Sequence, residues 1–401
     1  MANTNLTIDM VTNKALAVLE NALVVTRNVN RQYDKEFAVE GAKIGSTLRI
    51  RLPDRATVST SAALTVEDIT ETNTTLTVSS RAQIAMSFTS QELALETDLD
   101  RFTELKIKPR MSQIAASVDY DVCNVYKDIY HSVGTPGTTP STSLVLLQAQ
   151  QKLDEMATAR ESRFCTINPA ANAALVEGMK GQFNPNSTIS GQFRTGVIAK
   201  EMYGFEEVAM SQSLPTHTTG AWGTTITSTG TLSTQGQATL PISFTGSSKT
   251  WKQGDVFTVA SVYAVNPQTR VSTGSLQQFV VTADLTASST GTLAIAPAIY
   301  TSGPLQTVDS FPQANAAVTM FGSASTAYPQ NLVYHRDAIA FATADLILPK
   351  GTNMASRKEH NGMSVRIIEW YDGQNDRMPT RFDILYGYKA IRPVMACRIW
   401  G

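Results

Sequence analysis

The chain has 401 residues, 42% hydrophobic and 17% charged, too long for one ordinary core and suited to a globular protein of two or three domains. Lys+Arg 33 against Asp+Glu 34 gives a formal net charge of -1, which excludes a bulk basic field for gripping nucleic acid and an acidic tail. Cys123, Cys165 and Cys397 are far apart and form no Cys-x-x-Cys pair, so neither a disulfide framework nor a thiolate zinc site is expected and a reducing compartment fits best.

The opening residues lack a basic n-region and Glu20 interrupts their apolar run, unlike a secretory signal. Instead Ile8, Val11, Ala15, Leu19 and Leu23 recur at helical spacing, predicting an amphipathic helix over 7–26 whose apolar stripe needs a partner surface. Residues 46–90 read as two extended arms, 48–52 and 76–88, around a long middle rich in Thr and Ser, which predicts a projecting β-hairpin. On the first arm Arg49 and Arg51 share one face and Leu48, Ile50 and Leu52 the other, with Arg55 just beyond. Those arginines form either a solvated face or a contact in which fork-shaped guanidiniums meet a neighbour's carboxylates.

Pro109 opens a longer helical pattern through Met111, Ile114, Val118, Val122, Tyr126, Ile129 and Val133, which Gly134 and Pro136 stop. A second helix is expected over 143–160, then a strand at 164–167, then a helix launched by Asn168-Pro169 and running to Met179. Composition changes sharply over 216–330, where only Lys249, Lys252, Asp255, Arg270, Asp284 and Asp309 are charged. That segment alternates β-branched or aromatic residues with small polar ones, as in Val256-Phe257-Thr258-Val259, and predicts an inserted all-β module. Strands are expected again at 332–334, 338–341, 365–370 and over 381–399. The uncharged stretch 208–248 is too rich in Ser, Thr and Gly to be a membrane span, so no membrane partner is expected.

Chemistry leaves little mark. His131, His217, His335 and His360 are scattered, with no His-Glu-x-x-His, nucleophile elbow, phosphate loop or dinucleotide fingerprint. No catalytic residue, metal or cofactor is expected. Asp98 and Asp100 read as acids of a helix's first turn, and 372–376 as a polar turn that lacks the spaced Glu of a calcium loop.

The order of these elements, with Arg163-Phe164-Cys165-Thr166-Ile167-Asn168-Pro169, Gly204-Phe205-Glu206 and Asn331-Leu332-Val333-Tyr334-His335-Arg336-Asp337-Ala338, resembles the major capsid proteins of tailed bacteriophages, the Hong Kong 97-type fold. Within the insertion, Lys252-Gln253-Gly254-Asp255-Val256-Phe257 and Leu276-Gln277-Gln278-Phe279-Val280-Val281 are similar to the branch typified by the coat protein of podophage P-twenty-two. The resemblance implies an α+β fold with an N-terminal arm (1–45), an extended loop (46–92) and a peripheral domain with a spine helix (93–165). It further implies an axial domain with the remaining peripheral strands (166–215 and 331–401) and an inserted β-barrel-like domain (216–330). It implies a structural subunit in the virion, assembled in the host cytoplasm, and not an enzyme. Its partners would be other copies in pentameric and hexameric capsomers, a scaffolding protein, a portal protein and, through weak non-specific contact, packaged double-stranded DNA. A β-rich tail or adhesion protein is the alternative. Candidate intersubunit contacts are Arg49, Arg51 and Arg55 on the loop and Ile8, Val11, Leu19 and Leu23 on the arm.

Three departures qualify the resemblance. The nearly uncharged insertion puts in doubt the salt-bridging loop that such relatives use between capsomers. No coiled-coil-like charged segment precedes the arm, so the scaffold is expected to be a separate protein. Residues 46–92 contain no lysine, and capsids that cross-link covalently use a lysine there. Shell protein boiled in detergent should therefore migrate as one band near 43.4 kDa, and a ladder of covalent multimers would contradict this.

Overall fold

The computed structural model describes residues 8–31, 47–58, 62, 66, 72–89, 106–179, 200–349, 351–352, 354–360 and 362–401. Its elements in chain order begin with helix α1 (Ile8–Ala22) and strands β1 (Thr47–Arg51), β2 (Asn73–Thr77) and β3 (Ser80–Thr89). Helix α2 (Lys108–Cys123), β4 (Ser132–Val133), α3 (Ser143–Glu155), β5 (Arg163–Ile167) and α4 (Pro169–Met179) follow. Next come β6 (Lys200–Met202), β7 (Phe205–Met210), β8 (Thr216–Thr218), β9 (Ile226–Ser228), β10 (Gln237–Phe244), β11 (Lys249–Trp251) and β12 (Val256–Val265). The chain continues through β13 (Ser272–Val281), β14 (Leu285–Ala287), β15 (Thr290–Ile299), β16 (Val318–Met320) and β17 (Ala327–His335). It closes with β18 (Ile339–Ala344), β19 (Met354–His360), β20 (Met363–Glu369), β21 (Arg377–Ala390) and β22 (Ala396–Trp400). The fold is α+β, as expected, and divides into two compact units.

The first unit draws on residues 1–50, 73–122 and 340–389. Helix α1 buries Thr12, Ala15, Leu16 and Leu19, with Leu23 just past its end, on one 3.6-residue stripe. It ends at Ala22, four residues earlier than the periodicity predicts, because a carboxylate from another helix captures the next turn. Asp119 of α2 accepts the Val24 N–H at 2.7 Å, the Thr26 N–H at 2.9 Å and the Thr26 hydroxyl at 2.6 Å. Helix α2 turns Met111, Ile114, Ala115, Val118 and Val122 inward, with Pro109 as its second residue. The sheet of this unit has the order β18-β21-β20-β19, and β3 pairs with β21 over its whole length. The expected second arm of the hairpin is thus two strands: β2 pairs with β1, and β3 leaves to join β21. Gly387 sits where β21 passes the bend between β2 and β3; a Cβ there would lie 2.3 Å from the Thr77 carbonyl oxygen, so only glycine fits.

The second unit comprises residues 51–72, 123–339 and 390–401. Its body is a sheet of order β4-β22-β17-β5-β7-β6, covered by the buried face of α3 (Leu146, Ala149, Leu153) and by Ala171 and Leu175 of α4. Asn168 caps α4 by accepting the Ala171 N–H on its side-chain oxygen at 2.8 Å. The long helix expected to reach Val133 stops at Cys123, tightens into a 3₁₀ turn (Asn124–Asp128) and becomes extended. Pairing of Val133 with Ile399 accounts for this, since a residue committed to a ladder cannot stay helical. Helix α3 likewise ends at Glu155 rather than 160. Buried Arg163 draws the following segment around itself by donating to the Ala159 and Thr158 carbonyls at 2.7 and 2.6 Å and to Asp154 at 2.7 Å.

Strands β9 to β16 make a β module within the charge-poor segment 216–330. A six-stranded sheet, β16-β12-β13-β15-β10-β9, and the β11-β14 pair enclose Leu240, Ile242, Trp251, Phe257, Phe279, Leu293 and Ile295. Burying each such side chain contributes about 1.5–3 kcal/mol. The two ends of this excursion meet, because β8 pairs with the start of β17 (Tyr328↔His217) while the rest of β17 pairs with β22 and β5.

The Asp119 carboxylate supports three donors from inside the first unit. Asp119→Ala should lower stability by about 2–4 kcal/mol, the cost of orphaning buried donors, whereas a surface control such as Asp54→Ala should stay within about 0.5 kcal/mol. Denaturant unfolding of both variants checks this.

Candidate functional site

Strand β1 puts Leu48 and Ile50 inward, 3% and 2% exposed, and leaves Arg49 and Arg51 outside, matching the two-faced arm read from the sequence. Arg55 is exposed in the segment that follows. The arm helix divides the other candidates. Leu19 and Leu23 are buried within their own chain, so this half of the stripe serves internal packing rather than a free surface. Ile8 and Val11 belong to α1, but their side chains lie outside the described residues, as do Asp98 and Asp100.

A charged site the sequence reading missed lies on the outward face of the β3-β21-β20 sheet. Asp383 receives Arg81 at 2.8 Å and Arg366 at 2.5 Å on Oδ2, and Arg381 at 2.6 Å on Oδ1. The register explains the convergence: Asp383 stands between Gln83 of β3 and Arg366 of β20, and Arg381 is two residues along the same face. Three guanidiniums therefore share one fully buried carboxylate, and Arg81 and Arg381 remain 40% and 30% exposed. Arg366 also donates to the Ile347 carbonyl and Arg381 to Gln83 Oε1, so the arginines are tied to backbone and amide as well as to Asp383. Burial alone would raise the Asp383 carboxyl, but the hydrogen bonds from Arg366, Arg381 and Arg81 outweigh it and hold it below the usual aspartate range. Alternation of Arg381 and Asp383 was visible in the sequence; the partners on β3 and β20 were not.

A second polar site fastens the β module to the body of its unit. Asp255 accepts from the Lys252 N–H at 2.7 Å and the Gly220 N–H at 3.2 Å, and pairs with His217 Nε2 at 2.8 Å. His217 Nδ1 in turn lies 3.1 Å from the Tyr126 hydroxyl. Arg398 donates to the Gly254 carbonyl at 2.9 Å, and Gly254 holds a φ of +100 that suits glycine. Gln278 clamps the backbone of Ser132 from both sides, accepting its N–H at 2.7 Å and donating to its carbonyl at 2.8 Å. Around these bonds Tyr130, Val256, Val280, Tyr328 and Trp400 form one apolar cluster.

The module's own acids are spent internally. Asp284 binds Lys252 at 2.7 Å, Asp309 accepts the Tyr263 N–H at 2.8 Å, and Asp255 is buried with His217.

No group of three His, Cys, Asp or Glu side chains among the described residues could hold a metal. Burial drives His131 down to about 3, aided by Lys152, and pushes the Cys397 thiol up to about 12, with Cys165 raised as well. His335 accepts the Asp337 N–H at 3.1 Å, which closes a turn rather than arming a base. Asp372 is held by Arg377 at 2.9 Å and by Asn375 and Gln374, the polar turn expected of that segment. No helix among the described residues is long and apolar enough to cross a membrane.

The family model described as "P22 coat protein - gene protein 5" matches residues 1–401. The chain belongs to this coat-protein family. As a coat protein it is a structural, non-enzymatic component of the phage capsid, located in the virion and built to associate with its own copies, and the tail or adhesion alternative lapses. Solved structures similar to it include Mycobacterium phage Che8 (12% identity, TM-score 0.49, covering 94% of this chain and 90% of that one). The capsid of Ralstonia phage GP4 is also similar (8%, 0.46, 94% and 89%), as is the asymmetric unit of the bacteriophage PhiM1 mature capsid (11%, 0.43, 92% and 86%). No curated protein matches the sequence.

The depressed Asp383 carboxyl carries a sign. A carboxylate whose folded value lies below its unfolded value of about 3.9 stabilises the fold above that pH and loses its contribution as pH falls through the folded value. Asp383→Asn should lower the neutral-pH midpoint, at a cost of about 3 kcal/mol for three cations left around a neutral amide. The gap to wild type should close as pH drops below about 4. Thermal melts of both proteins across that range test it, and a gap that stays constant in acid would refute it.

Proposed function

We propose that this coat protein is the major capsid protein, assembling as pentameric and hexameric capsomers around a separate scaffolding protein into an icosahedral procapsid with a portal. The shell then encloses double-stranded DNA, and assembly takes place in the bacterial host cytoplasm. The match of the coat-protein family to all 401 residues carries this reading. The domain assignment goes with it: residues 1–45 as the arm, 46–92 as the extended loop, 93–165 as the peripheral domain with its spine helix, 166–215 and 331–401 as the axial domain and remaining peripheral strands, and 216–330 as the inserted domain.

The physical chemistry is compatible. A formal net charge of -1 lets a shell surround DNA without the salt-sensitive grip that many neutralised phosphates would create. Weak contacts repeated around symmetry axes hold such an assembly by avidity. Arg49, Arg51 and Arg55 are the proposed loop contacts, reaching carboxylates of a neighbouring copy; the guanidinium-rich face around Asp383 is a second candidate.

Co-expression with the neighbouring structural genes and electron microscopy of sedimenting material tests the proposal. Closed icosahedral particles are expected, and a 43.4 kDa monomer in the presence of a confirmed scaffold would overturn it. The triple variant Arg49→Glu, Arg51→Glu, Arg55→Glu should keep its melting temperature within a few degrees, because exposed charges contribute little to folding. It should nevertheless fail to close shells; normal particles would remove these residues from the interface.

A further inference from the structure

One face of the strands β4, β22 and β17 gathers polar atoms that find no partner among the described residues. Arg398 and Trp400 are two residues apart on β22 and so point to the same side. Ser132 of β4 is the cross-strand neighbour of Arg398, and Gln330 of β17 is that of Trp400. All four are 2% exposed or less. Between them Ser132 Oγ, Arg398 Nε, Arg398 Nη2, Trp400 Nε1 and Gln330 Oε1 are buried without a hydrogen-bond partner. Such atoms are rare in native proteins singly, and five on adjoining residues of one sheet face are a collective feature.

The surroundings say what the site takes. The Arg398 guanidinium has its carbon 5.7 Å from the centre of the Tyr126 ring and 5.6 Å from that of Trp400, with one protein bond, from Nη1 to the Gly254 carbonyl. Ring faces balance part of its charge but accept no ordinary hydrogen bond from Nε or Nη2. Gln330 has already committed its amide nitrogen to the Tyr328 carbonyl at 3.2 Å, so its oxygen needs a donor. An anion would satisfy the N–H groups yet offer Gln330 nothing. The field of Asp255 and Asp128, which acts on Arg398, also opposes an anion. Water accepts from Arg398 and Trp400 and donates to Gln330 and Ser132, meeting the two to four partners that hold a buried water in place.

We propose that this face binds structural water that links Arg398, Trp400, Gln330 and Ser132, so that the join between the β module and the body of its unit is hydrated inside. The hydration completes the coordination of Arg398, which ties the C-terminal strand to the Lys252–Asp255 turn of the module.

A density map of the assembled wild-type protein at a resolution that shows ordered water is the test, collected with and without bromide in place of chloride. The expected result is at least one water-sized peak within 3.2 Å of Arg398 Nη2 or Nε and of Gln330 Oε1, unchanged by bromide. A dry face, direct contact of Arg398 with Asp128 or Asp255, or a peak that strengthens in bromide would each overturn the proposal. Ser132→Ala gives a second reading that leaves the Gln278 clamp on the backbone intact. It should lower the melting temperature and remove or displace a peak, whereas an unchanged or higher melting temperature counts against bound water at that hydroxyl.

Discussion

The return of β17 from the β module is the constraint on which the second unit rests. One strand pairs with β8 at its start and with β22 and β5 along the rest, so it closes the excursion and builds the sheet beneath it. A module joined by a loose tether would need no such strand. Here the same backbone ladder crosses the boundary, and the Gln278 clamp, the Arg398 bond to Gly254 and the Trp400 cluster lie beside it. An apolar cluster supplies the free energy, while directional bonds in a buried setting set one orientation.

Charge is used sparingly inside and in the same manner at three places. Asp119, Asp255 and Asp383 are each buried, and each gathers several donors. A buried carboxylate with one donor would be a net cost; one whose lone pairs are filled becomes a joint between elements that have no local reason to meet. These three acids are therefore taken up within the chain, while Arg49, Arg51 and Arg55 are exposed. For a coat protein this separation is useful, because contacts between copies can then form without drawing on the groups that hold the subunit together.

Most local structure could be read in advance. The stripe through Ala15, Leu19 and Leu23, the Pro109 and Asn168-Pro169 helix starts, the alternation of Arg49 and Arg51 with Leu48 and Ile50, and the charge-poor β module all follow from periodicity or composition within one element. The helix ends at Ala22, Cys123 and Glu155 did not, because Asp119, the β22 ladder and Arg163 override local preference there. The two faces of β1 were legible and the burial of the α1 stripe was not, for a related reason. A strand's two faces are written in its own sequence, whereas the burial of Leu19 and Leu23 depends on what the rest of the chain brings against them.

By itself the sequence determined the class of elements, the strand-rich character of 216–330 and the family resemblance, since these depend on patterns within short stretches or on the order of many stretches. Tertiary structure alone decided the joints. Thr26 meets Asp119 across 93 positions, Gly254 meets Arg398 across 144, Ser132 meets Gln278 across 146 and Arg81 meets Asp383 across 302. No periodicity of one segment encodes a partner so far away, because the choice is made when two faces of different elements exclude water together.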